Sequence, residues 1–82
     1  MSPYALAYAP DAALVREVLP EGLRARFDTE MRKLAAAPYA EGSTPIREER
    51  DRRDATVAGC FVVYYVAQPV LRITAVRIQT PF

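Results

Sequence analysis

The sequence predicts an α+β fold, a small β-α-α-β-β-β domain with an antiparallel sheet and two helices packed on one of its faces. Three observations predict it. Leu23, Phe27, Met31 and Leu34 recur at steps of 4, 4 and 3, the apolar stripe of an amphipathic helix. From Ala55 onward the pattern changes to period two in a run rich in valine and tyrosine. Near the start, Tyr4, Leu6 and Tyr8 alternate with alanines, as large and small groups do on a strand.

"SPYALAYA" reads as the first strand, stopped by Pro10, with Asp11 placed to cap the first helix. "DAALVREVLP" reads as that short helix, with Leu14, Val15 and Val18 on its apolar side and Arg16 and Glu17 in water. "PEGLRARFDTEMRKLAAAP" is the second helix. Pro20 suits its first turn, Glu21 its positive end and Lys33 its negative end. Arg24, Asp28 and Arg32 stand four apart on another face of the same helix, where they can pair. "YAEGSTP" is a loop by composition. A short strand is expected around 54–57, a turn at Ala58-Gly59, a long strand at 60–67, a turn at Gln68-Pro69 and a last strand at 70–79. Both faces of the long strand are apolar: Cys60, Val62, Tyr64 and Val66 on one side, Phe61, Val63, Tyr65 and Ala67 on the other. That strand should be central, with helices over one face and the other face partly open.

The totals bound the chemistry. The 82 residues suit one domain, 1–82, with hydrophobic residues at 51% and charged residues at 26%, the balance of a folded chain. Histidine is absent and Cys60 is the one cysteine, so histidine triads, cysteine–histidine zinc sites and internal disulfides are excluded. No metal and no cofactor is expected. Cys60 reads as a buried, inert thiol in a reducing, cytoplasmic setting. "MSPYALAYAPD" lacks a basic head and a long apolar run, so no secretory leader is expected. The uncharged run Ala55 to Leu71 is shorter than the roughly 20 residues of a membrane helix.

Basic charge is nearly all arginine, ten against the single Lys33, and the net charge is +1. Seven consecutive charged residues run from Arg47 to Arg53. Arg47, Arg50, Arg52 and Arg53 are offset there by Glu48, Glu49 and Asp51. The segment therefore reads in two ways, as a solvated loop or as a basic rim that meets phosphate. Tyr64 and Tyr65 must face opposite ways on a strand, so one is core and the other can lie on the open face and stack on a base. Arg72 and Arg77 are five apart and point to opposite faces if the last strand is regular. RNA cleavage also needs a proton acceptor, which guanidinium groups supply poorly. Glu48, Glu49, Asp54 or a tyrosine are the alternatives in this segment.

The layout resembles the RelE/ParE superfamily of bacterial type II toxins. The resemblance rests on "YALAYAPDA", on "LPEGLRARFDTEMRKLAAAP", on the glycine, aromatics and aliphatics of "VAGCFVVYYV", and on the basic residue before a last aromatic in "ITAVRIQTPF". It implies a ribosome-dependent mRNA endonuclease, or alternatively a gyrase inhibitor or an inactive relative that only binds an antitoxin. It also implies a cognate antitoxin in a hetero-oligomer, with ribosome and mRNA, or DNA gyrase, as target and no membrane partner. By the same resemblance Arg52, Arg53 and Arg77 are the catalytic candidates. Arg47, Arg50, Tyr64, Tyr65 and Phe82 are the substrate-binding candidates. Two positions depart from the family pattern: Val62 stands where an arginine is usual, and Phe82 stands where nucleases of this type often carry tyrosine.

Overall fold

The computed structural model describes residues 4–40 and 42–82. Ser2 and Pro3 of the expected first strand lie outside them. The chain runs through β1 (Ala5–Tyr8), α1 (Pro10–Glu17), α2 (Glu21–Ala36), β2 (Ser43–Ile46), β3 (Glu49–Val57), β4 (Cys60–Ala67) and β5 (Arg72–Gln79), with a 3-10 turn at Gln68–Val70. The strands form one sheet in the order β1-β5-β4-β3-β2.

The α+β class holds, with two refinements. The sheet is mixed: β3, β4 and β5 are an antiparallel meander, but β1 lies parallel to β5, Ala5 opposite Arg72 and Tyr8 opposite Ala75. A parallel neighbour requires a long crossover, and the chain from α1 to β4 supplies it. The second refinement is β2, which falls on the expected loop and pairs antiparallel with β3. Pro45 hides it from a propensity reading. On an edge strand the missing N–H removes nothing from the ladder when it points outward. Pairing with β2 also carries β3 back to Glu49, so the arginine-rich segment is strand rather than loop.

Two tight turns join the meander. Ala58 and Gly59 both have positive φ, 49° and 83°, the twist-matched two-residue hairpin that was expected. Arg47 and Glu48 form a turn of the same hand between β2 and β3, with φ of 51° and 66°. Neither residue is of a type that favours this region.

The core lies between the helices and one face of the sheet. Phe27, Met31 and Ala35 of α2 are buried against Cys60, Val62, Tyr64 and Val66 of β4 and Ile73, Ala75 and Ile78 of β5. Leu23 and Leu34 flank them, so the predicted stripe is the packed face. The Tyr64 hydroxyl donates to the Pro38 carbonyl at 2.6 Å, which ties the chain beyond α2 to the middle of β4.

The helix α1 departs from the expected pattern. Ala12 and, just beyond the helix, Leu19 are buried, while Leu14 is 62% and Val18 76% exposed. The helix is short, and its end turns away to begin α2. Its first turn has Pro10 and no side-chain cap from Asp11. Arg16 does not face water alone. It grips Asp28 with two parallel bonds, Nε to Oδ1 at 2.8 Å and Nη2 to Oδ2 at 2.7 Å, and lies 5.7 Å from the Tyr8 ring centre. The expected pairing of Asp28 with Arg24 and Arg32 along α2 gives way to this fork, whose planar geometry a helix-surface pair cannot match. Arg24 instead meets the Glu17 carbonyl and Arg32 meets Thr29.

Truncating Phe27 to alanine should cost about 3–5 kcal/mol, whereas Leu14→Ala should change stability by no more than about 0.5 kcal/mol. Urea denaturation of the two variants checks this. Equal losses would contradict the assignment of faces.

Candidate functional site

Burying one side of β4 leaves the other side facing out. Three cross-strand rows run over this open face. Arg52, Tyr65 and Thr74 make one, Asp54, Val63 and Arg77 the next, and Thr56, Phe61 and Gln79 the third. Arg72 opposes Ala67 at the end of β5. Tyr65 and Phe61 are each 41% exposed, large aromatics with one side free.

A bulge in β5 decides which arginines meet here. Val63 pairs with Arg77, but Tyr64 pairs with Ala75, so Val76 is an extra residue. The inward positions are accordingly Ile73, Ala75 and then Ile78. The bulge shifts the parity by one, and Arg72 and Arg77 share the open face instead of opposing each other as a regular strand would have it. The signal was present in the sequence: the apolar step in "ITAVRI" changes from two to three.

The pair Arg52 and Arg53 is divided by the strand's alternation. Arg52 lies on the open face, 5.7 Å from the Tyr65 ring centre. Its one ion pair is to Glu49 at 3.5 Å, and its Nε has no partner among the described residues. Arg53 points the other way and is 8% exposed. It donates to Ser43 Oγ at 3.0 Å, to the Arg50 carbonyl at 3.1 Å and to the Ser43 carbonyl at 3.2 Å. Every nitrogen of that guanidinium is engaged, two of them by Ser43 of β2, so Arg53 leaves the open-face set. Tyr64 leaves it too, being wholly buried and bonded to Pro38.

The remaining candidates lie at the margins. Arg47 is exposed in the β2–β3 turn. Arg50 stacks on Tyr39, its Cζ 4.3 Å from the ring centre. Phe82 is 76% exposed, past β5, where the Thr80 hydroxyl donates to its carbonyl. Val62 is fully buried under the helices. An arginine side chain has no room there, so valine at this position is what the packing of β4 under the helices requires.

Tyr39 was not anticipated, because it falls in a segment that reads as loop. It organises the arginine-rich stretch. Arg50 and Arg53 flank its ring, its hydroxyl donates to Asp51 Oδ1 at 2.5 Å and accepts from Gln68 Nε2 at 3.1 Å. Burial, and then the bond to Asp51, push its phenol above the usual tyrosine range. Asp51 is thereby drawn toward Tyr39, which leaves Arg52 less neutralised than the sequence suggests. A separate cleft of about 240 Å³ lies between α2 and the β2–β3 edge, lined by Lys33, Leu34, Ser43 and Thr56 among others. It includes none of the open-face arginines.

Among the described residues no group of three potential ligands could hold a metal ion, and no helix is long and apolar enough to cross a membrane. No family model and no curated protein sequence matches the chain. Solved structures do. The archaeal RelE–RelB complex from Pyrococcus horikoshii OT3 matches with a TM-score of 0.80 at 15% identity, over 96% of each chain. The toxin–antitoxin complex RelBE2 from Mycobacterium tuberculosis matches at 0.77 and 18% identity, over 95% of this chain and 98% of that one. The isolated E. coli RelE toxin matches at 0.80 and 16%, over 96% of this chain and 85% of that one.

This is the RelE toxin fold. The likeness runs through nearly the whole chain at 15–18% identity. Within the RelE fold, this sequence places Arg52, Arg72 and Arg77 together with Tyr65 and Phe61 on the sheet face that the helices leave bare.

The different placement of the two neighbouring arginines has measurable consequences. Arg53→Ala should lower stability by about 2–4 kcal/mol, since it removes buried charged bonds and leaves their acceptors unpaired, whereas Arg52→Ala should cost no more than about 1 kcal/mol. Thermal melts of both variants would show it. Tyr39 should matter at high pH. Its folded form holds the proton more tightly than the unfolded chain, so its contribution is complete below about pH 10 and is lost as pH rises through the folded-state value. Tyr39→Phe should flatten that alkaline fall in urea stability. Part of the fall should persist, because burial also raises Cys60 and Tyr8.

Proposed function

We propose that this chain is the toxin of a toxin–antitoxin pair and that it arrests translation by cutting mRNA on the ribosome. What supports the reading is the open face: Arg52, Arg72 and Arg77 beside two half-exposed aromatic rings, on a RelE fold. Arginine stays charged and binds phosphate through a planar fork. Base stacking on an aromatic ring is tolerant of sequence and favours unpaired strands. In the proposed reaction Arg52 and Arg77 hold the scissile phosphate and offset the charge that grows on it. Arg72 extends the basic track, Tyr65 and Phe61 stack on bases, and Arg47, Arg50 and Phe82 lie at the rim. Arg53 and Tyr64 keep the platform in place from beneath.

The antitoxin belongs to the same proposal. The Pyrococcus horikoshii and Mycobacterium tuberculosis structures are toxin–antitoxin complexes. A face with three guanidinium groups and exposed rings is a natural target for an acidic, partly apolar segment of such a partner.

Expression of the chain alone should halt bacterial growth, and purified protein should cut mRNA on purified ribosomes. Arg52→Ala and Arg77→Ala should each slow single-turnover cleavage by about 100-fold or more and relieve the growth arrest. Growth arrest with intact mRNA would replace this reading by inhibitory binding of another target, and a gyrase supercoiling assay would then test the gyrase alternative. Absence of toxicity would end it.

A further inference from the structure

Downstream of the β2–β3 turn the chain has three carboxylates, Glu49, Asp51 and Asp54. Two are engaged. Glu49 meets Arg52 and Asp51 accepts from Tyr39. The Asp54 carboxylate makes no hydrogen bond or ion pair with any described residue. It is half-buried on the open face of β3, flanked in register by Thr44 on β2 and Val63 on β4, with Arg77 next in the row. Arg52 stands two residues along the same strand face, about 7 Å away at the backbone, and Arg77 two strands across in the same row, about 10 Å away with Val63 between, so Asp54 stands at the corner where the two directions meet.

Building on the endonuclease reading, we infer that Asp54 is the general base of the site. A chain without histidine needs another acceptor for the 2′-OH proton, arginine holds its own proton too firmly, and a phenol ordinarily keeps its proton at neutral pH. Among the described residues Asp54 is the downstream carboxylate left unpaired, on the same face as both phosphate-holding groups. In the step, an Asp54 Oδ takes the proton of the ribose 2′-OH and O2′ attacks phosphorus. The P–O5′ bond breaks as the O2′–P bond forms, and the departing O5′ takes a proton from water. The products are a 2′,3′-cyclic phosphate and a 5′-OH end, and Asp54 returns its proton to solvent.

Electrostatics make the claim separable from a structural role. Removing a negative charge from a phosphate site should leave RNA binding equal or tighter. A base variant should therefore lose rate without losing affinity. The experiment measures single-turnover cleavage of ribosome-bound mRNA, with co-sedimentation on ribosomes as the binding readout, for the parent, Asp54→Asn and Asp54→Glu. Asp54→Asn should melt as the parent does, sediment at least as well and cleave about 100-fold or more slowly, and Asp54→Glu should recover to within about tenfold. A parent that cuts alongside an Asp54→Asn variant within about threefold of it overturns the role of Asp54 alone. So does an Asp54→Asn loss traced to weaker ribosome binding. A parent that binds ribosomes but leaves the mRNA whole overturns the endonuclease reading, and the role of Asp54 with it.

Discussion

The structure depends on the burial of one face of β4 beneath α2. Cys60, Val62, Tyr64 and Val66 fill that face, and Phe27 and Met31 press on them from the helix. Because side chains alternate along a strand, sealing this row forces Phe61, Val63, Tyr65 and Ala67 outward. The exposed platform is therefore a direct consequence of core packing. The hydroxyl of Tyr64 adds a directional tie to Pro38 inside this layer, where a buried phenol without a partner would be costly.

Around this row, small departures from regularity sort the charges. The extra residue Val76 turns β5 by one position and brings Arg77 onto the same side as Arg72. The alternation of β3 sends Arg53 inward and Arg52 outward. Inward, a guanidinium is acceptable only when its donors are used, and Ser43 and Arg50 use them. Tyr39 then occupies Asp51 and Arg50 at the margin. A chain of net charge +1 can in this way present a locally positive face: Arg52, Arg72 and Arg77 share it with Asp54, while most of the acids are placed elsewhere.

The fold of this chain is shared with RelE structures at only 15–18% identity. It needs an apolar helix stripe, an alternating central strand and turns of the right hand, and these restrict residue classes more than residue identities. Open-face chemistry is under no such restriction from the fold.

The sequence by itself determined the periodic elements: the α2 stripe, the two faces of β4, the Ala58–Gly59 turn and the buried Cys60. Each is written in local spacing, because a helix stripe and a strand face are properties of neighbours along the chain. It also named Arg52, Arg53 and Arg77, and one of Tyr64 and Tyr65, without telling which of them the open face would keep. Tertiary structure alone decided the rest. The edge strand β2 exists because β3 offers it a partner, despite Pro45. The fork between Arg16 and Asp28 spans two helices that local spacing cannot relate. The grouping of Arg72 with Arg77 comes from a bulge, and the withdrawal of Arg53 and Tyr64 from the open face comes from which side the helices cover. Those outcomes depend on contacts between segments far apart in the chain, and spacing along one segment carries no record of them.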